Sequence, residues 1–156
     1  MITRELQQLW WDWLGTSERL LRSLHEQTAA LTLRDAARVE RIQPELDSLL
    51  ESMKTLDVRA LSCAKKLAEE LGAEPNLRSL VLVLDKNEAQ QVQAIANRVT
   101  VAARHVNTVL QRNRELLANE LAYINGTLTL VAKAASEQQG KFKSAPCAAV
   151  LMDAVA

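Results

Sequence analysis

The chain has 156 residues, enough to bury a core without disulfides or a structural metal, and is 48% hydrophobic but only 3% aromatic, with four Gly and three Pro. That makeup starves a β-sandwich of strand formers and an α/β fold of turns, which leaves helix. Nineteen basic residues balance nineteen acidic ones and are interspersed along the chain, which argues against the concentrated basic stripe of a nucleic-acid or anionic-membrane surface.

Leu6, Trp10, Trp13, Ser17, Leu20, Leu24 and Leu31 recur in steps of three and four that sum to sevens, the spacing of one helix face. The spacing predicts a first helix from about Thr3 to about Ala30. At Thr32-Leu33-Arg34-Asp35 a hydroxyl and a carboxylate stand three residues apart, as in a capping box, so the chain should reverse there. Val39, Ile42, Leu46, Leu49, Met53, Leu56, Ala60, Cys63 and Leu67 then trace a second stripe to Leu71. Pro44 interrupts it and predicts either a kink near Arg41 to Gln43 or a helix start close to Pro44 itself. Gly72 is a helix stop, and Pro75-Asn76 form a linker and cap.

Leu77 to Leu84 has a strand's composition, but a lone strand has no sheet to join, so a two-turn helix is expected. Asn87 is a candidate cap for the next helix. Val92, Ile95, Val99, Ala102, Val106, Val109, Asn113 and Leu116 alternate in threes and fours. After a one-residue shift Leu117, Leu121, Ile124, Leu128 and Val131 carry the stripe on. A helix of roughly 45 residues would be about 70 Å long, against a diameter near 40 Å for a compact globule of this size. The predicted fold is therefore all-α: an elongated antiparallel helical hairpin or three-helix coiled bundle, with one very long C-terminal helix and a short intervening helix. Residues 1–135 form the expected helical domain. Residues 136–156 read as a flexible C-terminal tail with an apolar patch at Ala148 to Met152.

The start Met1-Ile2-Thr3-Arg4-Glu5 lacks a secretory signal's basic and apolar blocks, and no run reaches the roughly 18 apolar residues of a membrane span, so a cytoplasmic protein is expected. The two cysteines, Cys63 and Cys147, read as reduced thiols. Reactive groups are sparse. There is no Gly-rich phosphate loop, no Cys-x-x-Cys and no His-x-x-x-His spacing. His25 and His105 read as helix-surface residues, and Glu69, Glu70, Glu115 and Glu120 as solvated faces. No enzymatic activity, cofactor or metal is expected.

Three positions suggest recognition instead. Trp10, Trp11 and Trp13 lie within four residues; Trp10 and Trp13 share the core stripe while Trp11 points well away. Either all three cover the bundle's end, or Trp11 is partly exposed as an anchor for a partner helix. Asn113 lies on the apolar stripe of the long helix, where it either fixes register or meets an incoming segment. Tyr123, just off the stripe, suits an interface edge or simple packing.

The segment Asn107 to Lys133, with Asn113, the Leu116-Leu117 pair and the apolar stripe that follows, resembles the FlgN family of flagellar export chaperones. Leu31 to Asp35 followed by Val39 and Ile42 is similar to that family's first turn, and Leu71-Gly72 to its second break. The resemblance covers about residues 4 to 133, with Gly140 and Phe142 standing beyond it where the family often has Tyr and Gly. It implies a cytosolic type III export chaperone that binds the C-terminal helical segment of hook-filament junction proteins, prevents premature assembly and delivers them to the export apparatus.

On that reading the partner-binding residues are Asn113, Leu116, Leu117, Leu121, Tyr123, Ile124, Leu128 and Val131, with Trp11 as a second candidate. The protein would be a monomer or weak dimer, with no nucleic-acid partner and no stable membrane insertion. The alternatives are a structural coiled-coil homo-oligomer or general helical adaptor, and a membrane-surface helix protein anchored by the Trp cluster, against which Glu5 and Asp12 argue.

Overall fold

A computed structural model describes residues 2–131, with side chains described through residue 126. Among the described residues there are four helices and no strand: α1 (Arg4–Thr32), α2 (Ala36–Leu71), α3 (Leu77–Val83) and α4 (Lys86–Val131). The all-helical expectation is met, and α4, at 46 residues, is close to its expected length. The tail with its Ala148 to Met152 patch lies outside the described residues, as does Cys147.

The caps depart from the sequence reading in three places. Thr32 does not cap α2; it belongs to the last turn of α1, where its Oγ1 donates to the Thr28 carbonyl at 2.8 Å. Asp35 caps α2 alone, accepting from the Arg38 amide at 3.1 Å. The helix therefore starts at Ala36 and not close to Pro44, which sits inside it. Pro44 removes one ladder bond, and burial of Ile42 and Leu46 on either side holds the helix together across the gap. Finally, Asp85 rather than Asn87 caps α4, accepting from the Asn87 and Glu88 amides at 2.9 and 3.0 Å. A cap must precede the first free amides, and Asn87 is already helical. Asn76 caps α3 as expected, accepting from the Ser79 amide at 2.8 Å.

Both long turns end in a left-handed residue. Gly72 has φ +65° and closes α2 with its own amide on Glu69 and that of Ala73 on Ala68. Arg34 does the same for α1 at φ 54°, with its amide on Leu31 and that of Asp35 on Ala30. Glycine adopts this conformation freely; an L side chain pays roughly 1 kcal/mol for it.

α1 is the central helix, packed against both α2 and α4. Its pairing with α2 is antiparallel: the Gln27 amide donates to Gln43, and Trp13 faces Asp57. Its pairing with α4 is parallel and holds one register. Thr3 bonds Glu88, Gln7 bonds Gln91 and Thr28 bonds Asn113, at sequence separations of 85, 84 and 85. At that offset the last residue of α1 is level with Leu117, and α4 continues about 14 residues, or about 21 Å, beyond it.

The core is the set of stripes that meet: Leu6, Trp10, Trp13, Leu20 and Leu24 from α1, Ile42, Leu46, Met53 and Leu67 from α2, and Val92, Val99, Val106 and Leu110 from α4. At one end the N-termini of α1 and α4 are stitched by Glu88, which accepts from the Thr3 hydroxyl at 3.0 Å. A buried carboxylate beside free helix-start amides and a hydroxyl is a favourable placement, because those groups supply the donors that water would.

Candidate docking surface at the end of the long helix

Where α1 ends, α4 loses its cover. Leu116, Leu117 and Leu121 are half-buried, and from Ala122 to Gly126 every residue is exposed. Five consecutive exposed residues exceed one helical turn, so among the described residues no helix buries any face of α4 there, and the contacts that remain are at the edge, from Arg34 and the end of α1. Tyr123 is 54% and Ile124 45% exposed. Leu128 and Val131 continue the spacing of the stripe but lie outside the residues whose side chains are described.

The transition from covered to bare helix is an open apolar cleft. Ala30 and Leu31 from α1, Ala36 and Val39 from α2, and Leu117, Leu121 and Ile124 from α4 line it. Arg34 forms its rim, reaching Glu120 at 3.4 Å and lying over the Tyr123 ring at 4.1 Å from its centroid. The strained turn thus aims a guanidinium at α4. This contact was not legible in the sequence, because it depends on how far α4 runs past the turn.

Asn113 belongs to the interior. It is 2% exposed, its side-chain amide donates to the Leu24 carbonyl and to Gln27 Oε1, each at 2.9 Å, and its carbonyl accepts from the Thr28 hydroxyl. Of its two sequence readings, the structure selects register fixing: at this level the chain's own α1 covers the stripe, and an incoming segment has no access to Asn113. The cover ends a turn later.

Trp10 and Trp13 are buried, whereas Trp11 is 46% exposed with the Arg98 guanidinium 5.4 Å from its ring centroid. The reading in which all three indoles cover the bundle's end is therefore corrected for Trp11. Its position one residue past Trp10 turns it about 100° away from the core stripe.

One group that the sequence did not single out is Asp57. It lies one residue off the α2 stripe yet is only 3% exposed, because α1 covers that edge of α2. Burial pushes its carboxyl up to about 7, and the Trp13 indole N–H facing it pulls back less strongly, the two falling short of full hydrogen-bond geometry. Cys63, half-buried on the same helix, has its thiol pushed up by burial and then by Glu5, which makes it a poor nucleophile. Among the described residues no cluster of three or more His, Cys, Asp or Glu could hold a metal ion, and no helix is long and apolar enough to cross a membrane. His25 and His105 are exposed neighbours with ring centroids 6.1 Å apart.

Among the described residues the distinctive surface of this helical protein is an apolar stripe that emerges from its cover, the kind of surface on which an amphipathic helix docks. The FlgN protein family model matches residues 1–141, most of the chain, and the chain belongs to that family. Its role is thereby that of a flagellar export chaperone. No curated protein and no solved structure matches the chain closely enough to add to that assignment.

Proposed function

We propose that this protein is a cytosolic type III export chaperone for flagellar hook-filament junction proteins. It captures the client's C-terminal helical segment along the bare end of α4, keeps it from assembling prematurely and presents it to the export apparatus. The observation that carries the reading is the emergence of the α4 stripe from its own bundle between Leu121 and Ile124. A disordered client segment folds its apolar face into the cleft and onwards over Leu128 and Val131, the helix-in-groove mode, with Leu116 and Tyr123 at the flanks. Asn113 takes no part, since α1 occupies it. Because docking rests on apolar area, client affinity should change little with salt.

The test is light scattering and titration calorimetry of the chain alone and with the C-terminal helical segment of a hook-filament junction protein from the same organism. The expected result is a monomer or weak dimer that forms a one-to-one complex. Leu121→Asp and Ile124→Asp should abolish capture while the melting temperature stays within a few degrees, because both side chains are already partly in water. If both variants bind normally, the client lies elsewhere. A stable homo-oligomer that the same substitutions dissolve would instead establish the coiled-coil alternative.

A further inference from the structure

α1 carries a second stripe that its bundle covers only in part, with Leu14 and Leu21 half-buried against the edge of the core and Trp11, Glu18 and His25 exposed. Trp11, Leu14, Glu18, Leu21 and His25 follow steps of three, four, three and four, one residue out of phase with the buried series. On the facing side of α4, Val101 is 65% exposed and Ala102 half-buried. Leu14, Leu21, Val101, Ala102 and His105 line an open trough between the two helices. Trp11 stands beside it, its ring held by Arg98.

The charge on the α4 rim of this trough is one-sided, in spite of the chain's balanced total, while the carboxylate of Glu18 lines the opposite, α1 side. From Ala89 to Arg114 the α4 sequence contains four arginines and not one carboxylate. Three of its residues, Arg98, His105 and Arg112, stand seven apart, which places them in one row along the trough's α4 rim, and all three are exposed. Neither Arg98 nor Arg112 makes an ion pair with a described carboxylate. An apolar seam flanked by two arginines with a histidine between them, all at heptad spacing, has the pattern of one half of a coiled-coil interface, in which the flanking polar residues choose the partner.

We propose that this α1–α4 trough is a second docking surface, for an amphipathic helix of another protein that carries Asp or Glu at heptad spacing along one flank of its apolar stripe. Trp11 is the anchor of the seam, and Arg98, His105 and Arg112 select the acidic flank. Charge disfavours the nearer occupants. The chain's own residues 132–156 carry Lys133, Lys141 and Lys143 against Glu137 and Asp153, and those two carboxylates stand 16 residues apart, so the segment offers no acidic flank at heptad spacing. A second copy docked about a two-fold axis would set the row near its own duplicate. The surface is separate from the bare end of α4 and does not depend on the client reading.

The probe is a synthetic helical peptide of about three heptads, with Leu on the seam and Glu on the flanks, compared with a twin bearing Lys on the flanks. Titrated into the full chain, the Glu peptide should bind and shield Trp11 from acrylamide quenching, and the Lys twin should bind at least about tenfold more weakly. Raising salt from about 0.05 to 0.5 M should weaken the Glu peptide by about tenfold or more. Trp11→Ala should cost about tenfold, and Arg98→Glu combined with Arg112→Glu should reverse the preference between the peptides. All three side chains are exposed, so melting temperatures should hold. The proposal is overturned if neither peptide binds, if both bind alike, or if the double variant keeps the original preference. It is equally overturned if Leu121→Asp abolishes Glu-peptide binding, which would place that peptide at the end of α4, or if the chain proves to dimerise through Trp11.

Discussion

Replacing Asp57 by asparagine should stabilise this protein at alkaline pH and leave it unchanged or up to about 2 kcal/mol less stable in acid. The carboxyl is buried between α2 and α1, and its pKa stands at about 7 instead of 3.8. The folded state thus prefers the protonated acid. Below pH 3.8 the side chain is neutral in both folded and unfolded chains and has no effect on stability. Between pH 3.8 and 7 the unfolded chain releases the proton while the folded one keeps it, so stability falls as pH rises through that window. At about 1.4 kcal/mol per unit the full loss by pH 8 is about 4 kcal/mol. Asparagine has the same shape, still offers an oxygen to the Trp13 N–H and cannot ionise. It also buries an amide of its own, so the net gain at pH 8 is roughly 2–4 kcal/mol. For a chain of this size that is a rise in melting temperature of roughly 5–10 °C. Urea unfolding followed by circular dichroism at pH 4, 6 and 8 measures it directly, the difference between the two chains isolating Asp57 from all other carboxylates. Parallel pH profiles for the two proteins, or an asparagine variant less stable at pH 8, would refute the reasoning.

The remaining expectations are simpler. Asn113→Ala removes a buried amide that serves both Leu24 and Gln27, and should cost about 2–3 kcal/mol in urea unfolding while client capture at the end of α4 survives. Arg34→Gly should melt higher than Arg34→Ala by a few degrees. Both lose the contacts to Glu120 and Tyr123, but only glycine escapes the roughly 1 kcal/mol cost of the left-handed turn. Ile124→Asp should show its whole effect in calorimetry with the client segment and almost none in a melting curve.

Much of this molecule is local and could be read from the chain. The buried face of α1 is the heptad series from Leu6 to Leu31, and that of α4 follows the series from Val92 to Asn113 except at Ala102, which is half-buried while Ala103 is enclosed, because a helix's own period decides which residues share a face. Gly72 and Asn76 act as stop and cap because their backbone chemistry needs no distant partner. The family pattern around Asn113, Leu116 and Leu117 was legible for the same reason. Thr32, Pro44 and Asn87 misled at the helix starts, where two neighbouring residues can each cap and packing chooses between them.

What only the tertiary structure decided is which surfaces are covered. Two stripes of α1 satisfy the same periodicity, and the parallel offset of about 85 residues to α4 buries one and leaves Trp11, Leu14 and Leu21 along an open trough. That same offset makes Asn113 an internal bond and Ile124 a bare surface, although both lie on one stripe of one helix. It also brings Arg34 against Tyr123, while the antiparallel pairing of α1 with α2 encloses Asp57. Periodicity sets the face that a residue occupies; the length and register of its neighbours set whether that face meets protein or water. For a chaperone that second question separates core from docking surface, and its answer is held in contacts between residues far apart in the chain.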